Sequence, residues 1–238
     1  MGIVGKRRHH GARRTKEKDM KKLLVLGMAV ALASVAFAFP TQLGPTGGVL
    51  VPDCAIAEGL SVTVFDPPAA TDVPQTQVLF GLMENLEVGF GFQDGGAAGD
   101  TMWSLNAKYA LPIDLAGLQL AAGAIYADAG NTNPMALYLS GCYAMAEDIN
   151  IVGTVLHFDP DTAASSEVSL AVGVEKMLDN GKIGAEVALE DYLLAANTSL
   201  NVYADMSVND ALTARLAYAG IFAAGADLSI ALQYAFGQ

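Results

Sequence analysis

The chain has 238 residues, of which 53% are hydrophobic and 16% charged, with a formal charge of −12. That is enough chain for one sizeable domain. Nine of the bases precede Leu23, leaving only Lys108, Lys176, Lys182 and Arg215 beyond it; such an acidic remainder excludes nucleic acid as a partner, because neutralising phosphates needs bases.

The amino-terminal stretch divides at Ala38. Lys21 and Lys22 precede an apolar run, Leu23 to Phe39, that contains Ala36-Phe37-Ala38. A basic start, an apolar middle and small residues at a cut form a secretory signal peptide. Residues 1–38 are therefore expected to be a basic leader and signal peptide, with Met20 the expected start. A permanent membrane helix is the competing reading, and the run is short for one. Residues 39–59, rich in Gly and Pro, read as an irregular lead-in or plug segment with a short extended piece at Val49–Val51.

Residues 60–238 read as one all-β domain. Strand-like runs are expected at 60–65, 75–82, 86–93, 101–111, 117–127, 134–145, 149–158, 166–177, 181–190, 197–207, 211–220 and 226–237. The clearest is Glu167–Glu190. Val168, Leu170, Val172 and Val174 share one parity, and Ser169, Ala171, Gly173 and Glu175 the other. This period of two marks a strand. A tight Leu178-Asp179-Asn180-Gly181 turn follows, in which the Asn-Gly pair accepts the positive φ angles of a hairpin turn. Trp103, Leu105, Tyr109 and Leu111 oppose Ser104, Asn106 and Lys108 in the same way, as Leu228, Ile230, Leu232 and Tyr234 oppose Ser229, Ala231 and Gln233. The run 149–158 is weakest, because Val152, Val155 and Leu156 put apolar groups on both faces.

Bulky residues on one face with Gly, Ala, Ser and scattered charges on the other do not describe a soluble sandwich core. They describe a closed antiparallel transmembrane β-barrel of about twelve strands, whose strands run near the about 9–11 residues needed to cross a bilayer. Tight turns alternate with looser links at 66–74, 94–100, 128–134, 159–166 and 191–198, as in barrels with short periplasmic turns and long outer loops. Two aromatic belts are expected, with Phe92, Trp103, Tyr126, Phe158 and Tyr218 outside and Tyr109, Tyr143, Tyr234 and Phe236 inside. A secreted soluble β-sandwich used for adhesion remains the alternative.

The stretch Gly48-Val49-Leu50-Val51-Pro52-Asp53-Cys54-Ala55, followed by Gly59, resembles the opening of YjbH-like bacterial outer-membrane proteins. Phe80-Gly81-Leu82, Leu86-Glu87-Val88-Gly89 and Leu105-Asn106-Ala107-Lys108-Tyr109 are similar to motifs common in outer-membrane barrels. The likeness covers residues 44–111. It implies the outer membrane of a Gram-negative-type (diderm) bacterium, an association with exopolysaccharide, and as partners outer-membrane lipids, lipopolysaccharide and the barrel assembly machinery. Such barrels often finish on an aromatic residue; here Gly237 and Gln238 follow Phe236.

On the expected inner face, Glu87, Glu186, Glu190 and Asp205 are placed to meet Lys108 and Arg215, as structural ion pairs or as groups that set selectivity in a water-filled lumen. Asp94, Asp100, Asp128, Asp159, Asp161 and Asp191 in the outer loops are expected to concentrate small cations. Cys54 and Cys142 read either as a disulfide pinning the lead-in inside the barrel or as two buried thiols. His157, near Asp159 and Asp161, has no recognisable nucleophile motif around it, so a solvated rim histidine is preferred to an outer-membrane hydrolase. No metal or other cofactor is expected, and no enzymatic activity. The expected function is a narrow, porin-like passive channel or a structural envelope protein, with cations or polysaccharide as solutes.

Overall fold

The computed structural model describes residues 41, 45, 47–48, 50–66, 74–93, 101–128, 130, 132–162, 166–189, 198–221 and 227–236. The expected leader, and with it Glu190, Asp94, Asp100 and Asp191, lie outside the described residues.

Twelve strands follow in chain order: β1 (Leu60–Asp66), β2 (Gln75–Met83), β3 (Leu86–Gln93), β4 (Met102–Leu115), β5 (Leu118–Asp128), β6 (Met135–Ala146), β7 (Ile149–Asp159), β8 (Glu167–Leu178), β9 (Gly181–Ala188), β10 (Ser199–Ser207), β11 (Leu212–Ala219) and β12 (Asp227–Phe236). Each pairs antiparallel with its neighbour in sequence. The ring closes where β1 meets β12, from Leu60↔Phe236 to Asp66↔Ile230. Closure satisfies every strand's backbone groups and abolishes the sheet edge. One closed sheet also rules out the two stacked sheets of a sandwich.

The period of two decides the faces. Leu105, Leu170 and Leu232 point outward and are 49%, 47% and 50% exposed, while Ser169, Ala171, Gly173 and Glu175 on β8 are buried inside. A continuous outer surface of half-exposed Leu, Val, Ile and Phe is unfavourable in water and suited to hydrocarbon. At one end the turns are tight, with 84–85, 116–117, 147–148 and 179–180 joining neighbours and 208–211 the longest; the other end carries the longer links.

Phe92, Tyr126 and Tyr218 ring the long-loop end, exposed, with Trp103 half-buried and 5.6 Å from the Tyr126 ring. Tyr109, Tyr143, Tyr234 and Phe236 ring the other. Phe158 does not belong to the outer belt. It is 8% exposed and faces inward with Val152 and Leu156, because β7 is apolar on both parities and turns that of Val152, Thr154, Leu156 and Phe158 into the lumen. These side chains pack with Ile125, Ala136, Tyr138 and Val51 in one cluster.

Three local expectations are corrected. β4 does not end at Leu111 but runs to Leu115 across a register shift, so the turn is only Ala116-Gly117, with φ of 53° and 88°. The Leu178-Asp179-Asn180-Gly181 turn lies where expected, with Leu178 opposite Gly181, but none of these residues has positive φ. Gly181 serves a close approach instead: a Cβ there would run into the backbone carbonyl of Asp205 on β10. The extended piece expected at Val49–Val51 is not seen in the described residues of the lead-in, and Val49 itself lies outside them. The lead-in reverses, with Gly47 bridged to Pro52 and Gly48 N–H donating to the Val51 carbonyl at 2.9 Å.

Candidate functional site

Inward parity on twelve staves collects the polar side chains in the lumen. Among the described residues the buried charged groups are Asp53, Glu87, Lys108, Glu175, Lys182, Glu186, Asp205 and Arg215. All but Asp53 come from the barrel wall. Asp53 comes from the lead-in, and the described residues of 47–57 touch inward-facing groups around most of the wall.

The contacts run in order along the segment. Arg215 on β11 donates to the carbonyls of Gly47, at 2.9 Å, and Gly48. Glu186 on β9 accepts from the backbone N–H of Leu50 at 2.6 Å and of Val51 at 3.3 Å. Ser140 on β6 and Thr154 on β7 both donate to the Pro52 carbonyl, at 2.9 and 3.0 Å. Cys54 is joined to Cys142 on β6 by a disulfide with the Cα atoms 6.0 Å apart. Glu87 on β3 accepts from Ala57 N–H at 2.7 Å, and Gly81 N–H on β2 donates to the Gly59 carbonyl at 2.8 Å.

Asp53 closes the middle. Its carboxylate stands 3.4 Å from Lys108 Nζ on β4 and 3.8 Å from Lys182 Nζ on β9. In the closed ring of twelve these two strands are five apart, nearly diametrically opposed, so one carboxylate bridges opposite walls. Each wall cation also has a wall carboxylate: Lys108 lies 3.3 Å from Glu87, Lys182 2.7 Å from Glu175, and Arg215 grips Asp205 through Nε at 2.6 Å and an Nη at 2.7 Å. Buried charges are tolerated only when paired this way, since desolvation would otherwise dominate. The fork of Arg215 matches the carboxylate geometry better than a lysine would.

Of the residues anticipated for the inner face, Glu87 meets Lys108, Asp205 meets Arg215, and Glu186 accepts from backbone N–H groups and from the Asn201 amide at 3.0 Å. Sequence reading overlooked Asp53, Glu175, Lys182 and Tyr203. Glu175 shares the parity of Ser169 and Ala171, and Lys182 that of Gly184 and Glu186, so alternation could have found both. Asp53 lies where the chain has no periodicity and left no signal.

Tyr203 is held by three groups. Its hydroxyl donates to Glu175 at 2.5 Å, the Arg215 guanidinium lies 4.9 Å from its ring, and its strand partner is Gly184. The ring occupies the space above Gly184, where a Cβ would collide with it. Gly184→Ala is therefore expected to cost about 1–3 kcal/mol, read as a lowered denaturant midpoint. An unchanged midpoint would show that the ring moves freely.

At the long-loop mouth a cavity of about 170 Å³ is lined by Gln75, Gln93, Met102, Ser104 and Ile125 among others. Asp128, Asp159 and Asp161 stand at the same end, where Asp161 accepts from Asn133 N–H at 2.9 Å. His157 is exposed on the outer face with Leu137 and Val168 as strand neighbours, which supply no nucleophile.

No protein-family model and no curated protein matches the chain, so the resemblance to YjbH-like proteins finds no support there. Solved structures do match. The KdgM porin in complex with disordered oligogalacturonate superposes with a TM-score of 0.58 at 11% identity, over 75% of this chain and 99% of that one. The NanC porin gives 0.50 at 11% identity over 76% and 100%. The Acinetobacter baumannii outer membrane protein Omp33 gives 0.51 at 9% identity over 74% and 96%. The fold is that of the outer-membrane porin-like barrels.

Proposed function

We propose that this chain is an outer-membrane protein whose lumen is a narrow passive channel, with residues 47–57 acting as its plug. The observation that carries the reading is the inversion of faces: a closed barrel with an apolar exterior and a lumen holding all the buried charges named above. Lipid solvates the first surface and water or a polar solute the second. The porin-like fold supports the same reading and argues against an enzyme.

The solute class follows from charge. Five buried carboxylates face three bases in the described lumen, and Asp128, Asp159 and Asp161 stand at the mouth. Small cations are therefore favoured. Oligogalacturonate, the ligand of the KdgM structure, is a polyanion, which this lumen would repel. Glu186 is the wall carboxylate that holds the lead-in through the Leu50 and Val51 N–H groups and is assigned to selectivity on that position, whereas Glu87, Lys108, Asp205 and Arg215 act as structural pairs.

Reconstitution in planar bilayers tests this. A small conductance that prefers K⁺ over Cl⁻ is expected, with preference reduced in Glu186→Gln. An anion-preferring conductance would overturn the reading. The bridge from Lys108 through Asp53 to Lys182 favours a second reading, a permanently closed structural envelope protein, which predicts a folded barrel with no conductance under any condition.

A further inference from the structure

We infer that residues 47–57 form a gate latched by the Cys54–Cys142 disulfide, so that reduction by a small thiol opens the lumen. The inference rests on the channel reading and adds how that channel would be controlled.

Two features of the lumen point to a removable segment rather than a permanent filling. First, withdrawing Asp53 strands no wall cation: Lys108 keeps Glu87, Lys182 keeps Glu175 and Arg215 keeps Asp205. A segment that merely completed the core would be expected to carry the only partners of the groups around it, because an unpaired buried charge is costly. Second, the segment has an anchor and a pivot behind the latch. Gly59 is tied to Gly81 where β1 begins, and its φ of 64° is a conformation that suits glycine. Residues 47–58 extended from that pivot would reach roughly 40 Å, long enough to leave the lumen at the tight-turn end, where β1 starts.

The disulfide prevents this. The other contacts of the segment are hydrogen bonds and ion pairs that water can replace and the packing of Leu50 and Val51 on the apolar cluster, whereas the bond at Cys54 is covalent and fixes the segment at its centre to β6. While it holds, any displaced contact re-forms at high effective concentration. Reduction moves the tether to Gly59.

The chemistry balances with a dithiol reductant. One thiolate attacks Sγ of Cys142, the less buried of the two residues, and the Sγ–Sγ bond breaks to release Cys54 as thiolate. The reductant's second thiol then attacks its own mixed disulfide with Cys142. The reductant leaves as a cyclic disulfide, having supplied two electrons and two protons, and Cys54 and Cys142 end as thiols.

The test uses the full oxidised protein in planar bilayers, with dithiothreitol added to one chamber, and a membrane-impermeant maleimide to report whether Cys54 is exposed. Mean conductance is expected to rise on the order of tenfold, to fall again on reoxidation, and Cys54 to become labelled. Cys142→Ser and Cys54→Ser, each without reductant, are expected to match the reduced protein. Unchanged conductance with Cys54 unlabelled overturns the latch, since the polar contacts alone then hold the segment. Full conductance before reduction overturns it too, and leaves the channel reading standing. Labelled Cys54 with no conductance shows that the segment leaves and no channel opens, which removes the channel reading and the gate with it.

Discussion

Arg215→Met is expected to destabilise the folded barrel by about 3–5 kcal/mol, measured by equilibrium unfolding in lipid vesicles. The size follows from burial. Arg215 and Asp205 have side chains 3% and 0% exposed, joined by two charge-assisted hydrogen bonds. Methionine conserves much of the side-chain length but leaves Asp205 as a desolvated anion without its base. It also releases the carbonyls of Gly47 and Gly48. Removing both charges should undo much of the damage: Asp205→Asn combined with Arg215→Met is expected to be more stable than Arg215→Met alone, because no uncompensated charge remains. A single-variant loss below about 1 kcal/mol would mean that the pair behaves as a solvated surface bridge, and the lumen at this level would then be open to water.

Val172→Arg should cost about 2–4 kcal/mol in the same measurement, and Val168→Arg no more than about 1. Both valines lie on the outward parity of β8, 53% and 69% exposed, so water accessibility would predict little harm from either. The difference arises from depth. Val172 stands near the middle of the strand, with Gly153 and Val187 as partners, and an arginine there must enter the hydrocarbon or thin the bilayer around it. Val168 is next to the outer end, where the head of an arginine can reach the interface. Equal, small costs at the two positions would place this surface in water and end the membrane assignment.

The likeness to the solved porins belongs to backbone architecture alone. At 9–11% identity over about three quarters of this chain, it carries no argument about the side chains of the lumen. This lumen holds a segment from before the first strand, tied across it by Asp53 and by one disulfide.

Strand number, the antiparallel order and the direction of each face were legible in the sequence, because a pleated strand alternates its side chains strictly and lipid tolerates only one of the two resulting surfaces. Thus Leu170 could be placed outside and Glu186 inside without coordinates. Where alternation failed, so did the reading: β7 carries apolar residues on both parities, and Phe158 turned inward. The turn Leu178-Asp179-Asn180-Gly181 lies where it was expected but without positive φ, and Gly181 serves the close approach of β10 instead. Only the tertiary structure decided which inward groups meet. Closing the ring sets Lys108 opposite Lys182, strands apart in sequence, and the aperiodic lead-in brings Asp53 between them. Local pattern encodes which way a side chain points; the partner it finds across a lumen depends on the curvature and closure of the whole sheet, which no window of sequence contains.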